Sequence, residues 1–174
     1  MFVLNVSDVR LRSIFAFLLL FWLVVGLFAI FGRGMLIRRK SAKLRKEHPE
    51  AAIIAFSEGR VKHRGGDYFA SLESGALIFE PSELQVCSFT PDPTRPVKLV
   101  ATHAFTDIEK AEACSAIRAL VYPSIQVHTK SGDVIEVNPV RQKDPAWTLG
   151  ATWSELRAVA RRVQEVSGVE VEGL

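Results

Sequence analysis

The chain has few of the side chains that carry most enzyme chemistry. Its 174 residues include two cysteines, Cys87 and Cys114, and four histidines, His48, His63, His103 and His128. The cysteines stand far apart with no CxxC, so neither a disulfide nor a thiolate metal site is expected, and both read as small buried apolar residues. No histidine stands at HExxH spacing or in another metal-ligand pattern. GxSxG, the P-loop and GxGxxG following a strand are all missing. His103 and Asp107 are close enough for a loop ion pair, His128 falls at a polar strand position, and Ser131-Gly132-Asp133 reads as a turn. The expectation is a non-enzyme with no catalytic residue, cofactor or metal.

The bulk of the chain also lacks a surplus of positive charge. The formal net charge is +3, but it is unevenly placed. Residues 1–32 carry two bases and one acid, 33–46 carry seven bases and no acid, and 47–174 carry thirteen bases against eighteen acids. A mildly acidic domain makes a poor binder of phosphodiester backbones, so no nucleic-acid partner is expected.

What is present in abundance is a long apolar run. Ile14 to Phe31 reads IFAFLLLFWLVVGLFAIF, eighteen apolar residues with no charge between Arg12 and Arg33. As a helix it would cover roughly 27 Å, close to the hydrocarbon thickness of a bilayer. A cleaved signal peptide is the alternative, but its apolar region is shorter and ends in small residues, whereas this run ends Ala29-Ile30-Phe31-Gly32-Arg33. Arg10 and Arg12 precede the run; Arg33, Arg38, Arg39, Lys40, Lys43, Arg45 and Lys46 follow it. That imbalance places the C-terminal side in the cytoplasm and the N-terminus outside, in a cell (inner or plasma) membrane.

Trp22 sits near the middle of the span, away from the headgroup belt that tryptophan favours. With Gly26 and Ala29 it marks a face for packing against an integral membrane protein partner, while the lack of GxxxG gives no support for tight self-association. The basic flank is either a topology signal or a contact for anionic lipid headgroups, through Arg38, Arg39, Lys40 and Lys43.

Beyond the anchor the period changes. Residues 1–13 read as a short extracytoplasmic tail, 14–32 as the transmembrane helix, 33–50 as a basic juxtamembrane stalk, 51–168 as one domain and 169–174 as a tail. Strands are expected at Ala51 to Phe56, Asp67 to Leu72, Gly75 to Phe79, Leu84 to Phe89, Val97 to Thr102, Ile108 to Cys114 and Ser124 to Thr129, separated by turn residues. IQVHT and VIEVN alternate in phase around Lys130-Ser131-Gly132-Asp133 and predict a hairpin. Thr152 with Glu155 is a capping box, and Trp153, Leu156, Val159, Ala160, Val163 and Val166 form a helical stripe that Gly168 stops. The fold class expected is mainly β (α+β), a sandwich or small barrel capped by a C-terminal amphipathic helix.

Strands followed by one amphipathic helix resemble the pleckstrin-homology superfold, in particular the bacterial PH-like and GRAM-like domains. GALIFEPSELQVCSF (Gly75 to Phe89) is similar to that family's second-to-third strand hairpin. FTDIEKAE (Phe105 to Glu112) is similar to a strand ending in an Asp-Ile step, and VHTKSGDVIEV (Val127 to Val137) to the late hairpin. The resemblance implies a PH-like antiparallel barrel. In lipid-binding members, basic residues in the loop after the first strand hold headgroups, which here points to Arg60, Lys62 and Arg64. Two roles follow as expectations: an accessory or scaffold subunit of a larger membrane complex, or a module that senses anionic lipid.

Overall fold

In the computed structural model Val6–Glu47 forms one uninterrupted helix, α1. The structure describes residues 6–62, 68–92, 94–114, 123–141 and 150–173. From Ile14 to Phe28 the side chains of α1 are exposed, Trp22 to 68% and Phe28 to 76%. This part of the helix is long and apolar enough to cross a membrane, as a single anchor or a signal sequence does.

The second half of α1 behaves differently. Gly34, Ile37, Ser41 and Leu44 are buried, and their 3-4-3 spacing puts them on one face of the helix. That face lies on a sheet. Ile37 and Leu44 pack into an apolar cluster with Ile53, Ala55, Ile78 and Phe89. Each such aliphatic side chain stabilises the contact by roughly 1.5–3 kcal/mol. The segment 33–50, expected as a stalk, is therefore docked on the domain through the face from Gly34 to Leu44. The helix ends where Pro49 removes a backbone donor; the last turn closes with His48 N donating to Leu44 O at 2.8 Å.

Nine strands follow in one sheet: β1 (Ala52–Lys62), β2 (Tyr68–Leu72), β3 (Gly75–Phe79), β4 (Glu83–Ser88), β5 (Lys98–Ala104), β6 (Ile108–Cys114), β7 (Ser124–Thr129), β8 (Val134–Pro139) and β9 (Val171–Glu172). A single 3₁₀ turn, Phe105–Asp107, joins β5 to β6. The order is β5-β4-β3-β1-β8-β7-β6-β9, with β2 paired to β1. All pairings are antiparallel except β6 with β9.

The architecture is thus α+β with a mixed, open sheet. Among the described residues no pairing joins the ends at β5 and β9, so the closed barrel of the sequence reading is not part of this ladder. Residues 169–174, read as a tail, contribute β9, whose Val171 is opposite Ala111 of β6.

β1 is the central strand. Its first half, Ala52 to Phe56, pairs with β3; its second half, Gly59 to Lys62, pairs with β2; β8 runs along its other edge. The register shifts between Phe56 and Glu58, an irregularity that bends a strand and lets it serve two neighbours. The compact apolar run predicts a strand over Ala51 to Phe56, and the structure carries it on to Lys62.

The inner face holds the main core, with Ile54, Phe56, Leu77, Phe79, Ile125 and Ile135 among its members. Phe79 and Phe105 stack there with ring centroids 6.3 Å apart. β3 is buried along its whole length, since one face meets this core and the other meets α1.

The terminal helix, α2 (Trp153–Ser167), covers the core with Leu156 and Val163. Its capping box forms as expected: Glu155 N donates to Thr152 Oγ1 at 3.3 Å and Thr152 N donates to Glu155 Oε2 at 2.9 Å. Gly168 ends it in the left-handed region at φ 71°. The predicted hairpin also forms, with Gly132 at φ 90° and Asp133 N donating to Thr129 Oγ1 at 2.9 Å.

Candidate membrane-proximal site

Three polar contacts fasten α1 to the domain along its length. At the point where the helix leaves its apolar stretch, Arg33 Nη2 donates to the backbone carbonyls of Ser57 and Glu73. About two turns on, Lys40 is buried. Its ammonium donates to Thr90 O, Thr90 Oγ1, Asp92 O and Arg95 O at 3.0–3.2 Å. At the end of the helix, His48 Nδ1 meets the Glu80 carboxylate in the turn between β3 and β4.

Lys40 is the least expected of these. Its pKa is lowered, chiefly because burial penalises the ammonium, with Asp92 acting in the opposite sense. A buried cation persists when its donors are satisfied, and here the segment from Thr90 to Arg95 supplies four oxygens. Asp92 shapes that segment by accepting from Thr94 N at 2.9 Å and Thr94 Oγ1 at 2.6 Å. These bonds hold its carboxyl below the usual carboxylate range.

Around Arg33 lie two concavities that share Arg33 and Glu73. One, of about 460 Å³, opens between α1 and Phe89-Pro91 and is lined also by Met35, Leu36 and Arg39. The other, of about 440 Å³, opens toward β1 and β2 beside Glu58, Gly59 and Arg60. Both flank the helix where its exposed apolar stretch ends.

The residues singled out from sequence are distributed as follows. Trp22 is exposed and Gly26 has open space where a Cβ would stand; with Ala29 they recur at positions i, i+4 and i+7 of α1, one helix face. The side chain of Ala29 lies outside the described residues. Arg38, Arg39 and Lys43 are exposed, Lys43 lying 3.6 Å from Glu47. Lys40 alone of that group turns into the domain.

Arg60 and Lys62 belong to β1 itself. Arg60 is exposed opposite Ser71 of β2 and Glu136 of β8, so a carboxylate faces it across the strands. Arg64 lies outside the described residues. Arg33 and Glu73 were missed by sequence reading. The signal that finds Arg33 is the buried stripe from Gly34 to Leu44, which requires the residue before it to touch the domain edge.

The titratable groups elsewhere are ordinary structural ones. On the outer sheet face Glu112 Oε2 accepts from Lys110 Nζ at 2.9 Å and Glu112 Oε1 lies 3.0 Å from His128 Nε2. The bond to Lys110 holds the Glu112 carboxyl below its usual range, and the bond to Glu112 raises the Lys110 ammonium above its own. Burial pushes the Cys87 thiol up to about 11. Among the described residues no group of three His, Cys, Asp or Glu side chains is placed to hold a metal ion. No protein-family model matches the chain, and no curated protein matches it in sequence.

Proposed function

We propose that this chain is a single-pass membrane protein, N-terminus outside, whose cytoplasmic PH-like domain is a non-catalytic accessory or scaffold subunit of a larger membrane complex. The observation that carries the reading is the continuity of α1. One helix has an exposed apolar half and a half buried on the sheet, so no flexible linker separates the span from the domain.

Two further features favour a protein partner. The Trp22 face of the span is exposed, and an indole N–H in hydrocarbon gains from a partner helix that can accept its hydrogen bond. At the other end, β5 closes the described sheet path with β4 as its neighbour, and its Leu99 is 54% exposed. An open strand edge with an apolar side chain is a surface on which another chain can add a strand.

The test is purification from native membranes in mild detergent through a C-terminal tag. A multi-pass protein is expected at fixed stoichiometry, and Trp22→Leu together with Gly26→Leu should reduce its recovery. A chain that migrates alone on a native gel, with or without those substitutions, rules the subunit reading out.

A further inference from the structure

The larger cleft beside Arg33 has a composition that neither a simple anchor nor a protein-binding edge requires. Its lining combines the apolar residues Met35, Leu36, Phe89 and Pro91 with two arginines, Arg33 and Arg39, and one acidic residue, Glu73, beside Gly32 and Ser74. Gly32, Leu36 and Arg39 follow one another at i, i+4 and i+7, so the cleft runs along a single face of α1. At its upper end that face continues into the exposed apolar stretch.

Arg33 keeps its charge available. Both of its bonds go from Nη2 to neutral carbonyls, and among the described residues no carboxylate lies within ion-pair distance of it or of Arg39. A guanidinium fork retains further N–H donors suited to phosphate oxygens.

We propose that this cleft seats one anionic phospholipid of the leaflet next to the domain. The phosphate lies between Arg33 and Arg39, and the start of its acyl chains lies along Met35 and Leu36. The inference rests on α1 being the membrane anchor but not on any protein partner. It differs from general attraction of a basic flank to a charged surface, because it assigns unequal roles to adjacent arginines. Arg39 lines the cleft and Arg38, one residue away on another helix face, does not.

The full chain is reconstituted in nanodiscs of phosphatidylcholine with one-fifth phosphatidylglycerol, released into mild detergent and weighed by native mass spectrometry. One phosphatidylglycerol per chain is expected on the wild type. Arg39→Gln should lower that retention roughly tenfold, as loss of one charge-assisted hydrogen bond does. Arg38→Gln removes the same charge and should leave retention unchanged, while Glu73→Gln should raise it.

Equal losses for Arg38→Gln and Arg39→Gln, or equal retention of phosphatidylcholine, overturn the cleft assignment and leave the anchor intact. A chain that does not enter nanodiscs, or that alkaline carbonate strips from membranes, overturns the anchor reading and the lipid site with it. Both arginine substitutions fall on exposed positions, and a thermal melt of each variant verifies that the fold is retained.

Discussion

Lys40 of α1 and Thr90 of the segment after β4 meet at 3.0 Å through the lysine ammonium and the threonine hydroxyl. This contact joins the helix that carries the long apolar stretch to a proline-broken segment that begins fifty residues later in the chain. The ammonium fixes that segment at several oxygens at once, so its role is tertiary and not electrostatic steering of a surface.

Lys40→Met tests that role. The substitution keeps the aliphatic stem and removes the donors, so the partly buried carbonyl oxygens of Thr90 and Arg95 lose the ammonium and Asp92 O keeps only its bond from Thr90 Oγ1 at 3.3 Å. A loss of about 1–3 kcal/mol is expected, part of the bond energy being returned as relief of ammonium desolvation. Chemical denaturation of the detergent-solubilised chain measures it, and limited proteolysis should cut residues 90–96 faster. Unchanged stability and unchanged cleavage would show that the lysine contributes nothing to the fold.

The ring of Phe56 sits over two glycines, which respond differently to an added methyl group. At Gly75 a Cβ would lie 2.0 Å from the Cys87 carbonyl oxygen and 2.6 Å from Phe56 Cζ. Gly75→Ala should therefore cost upwards of about 2 kcal/mol, since backbone must move. At Gly59 the nearest atoms are side chain, Phe56 Cε2 at 2.9 Å and Val137 Cγ1 at 3.2 Å. Phe56→Leu should then recover much of the cost of Gly59→Ala and little of that of Gly75→Ala. A double-mutant cycle reads the difference, and equal coupling for both glycines would contradict the packing described.

The Glu112 network gives a pH dependence of definite sign. Its carboxyl titrates lower in the folded than in the unfolded chain, so the folded state holds fewer protons in that window. The associated stability is present above the ordinary carboxylate value, about 4, and is lost as pH falls through the folded value. Lys110 titrates higher when folded, so its share is present below about 10.4 and is lost as pH rises through the folded value. The difference in melting temperature between wild type and Glu112→Gln should be largest near neutrality and shrink toward both extremes. A difference independent of pH would mean the charge pairing is irrelevant.

The two cysteines should differ in reactivity. Cys87 is buried under α1, which both shields the sulfur and disfavours its thiolate. Cys114, half-buried at the end of β6, is raised too, first by burial and then by Glu112. Iodoacetamide at pH 8 should label Cys114 slowly and Cys87 only on unfolding, as peptide mapping by mass spectrometry can follow. Early labelling at Cys87 would mean that α1 lifts from the sheet.

Much of the fold was legible because its signals are local. The hairpin at Lys130 to Asp133, the Thr152-Glu155 capping box and the Gly168 stop each depend on residues within one turn of each other, and the long apolar helix depends on hydropathy alone. What could not be read were contacts whose meaning is set by distant partners. The docked face of α1 shows only Ile37 and Leu44 as apolar markers among seven bases, so it passes for a solvated stalk. Lys40 looks like its exposed neighbours until the oxygens of residues 90–95 are brought to it. β9 is two residues long and has no period to detect. Arg60 and Lys62 looked like a loop cluster because the bend at Ser57 resembles a strand end, although β1 continues through it.

On the membrane-anchor reading proposed above, the absence of a break in α1 would fix a rotational phase between bilayer and sheet. A helix turns about 100° and rises about 1.5 Å per residue, so one alanine inserted between Phe31 and Arg33 would swing the whole sheet by more than a quarter-turn relative to the span. Three or four inserted residues would bring it nearly back into alignment, about one pitch further from the membrane. A partner of the kind proposed, one that engaged both the Trp22 face and the β5 edge, would then sense insertions periodically, as two gears on one axle sense a slipped tooth.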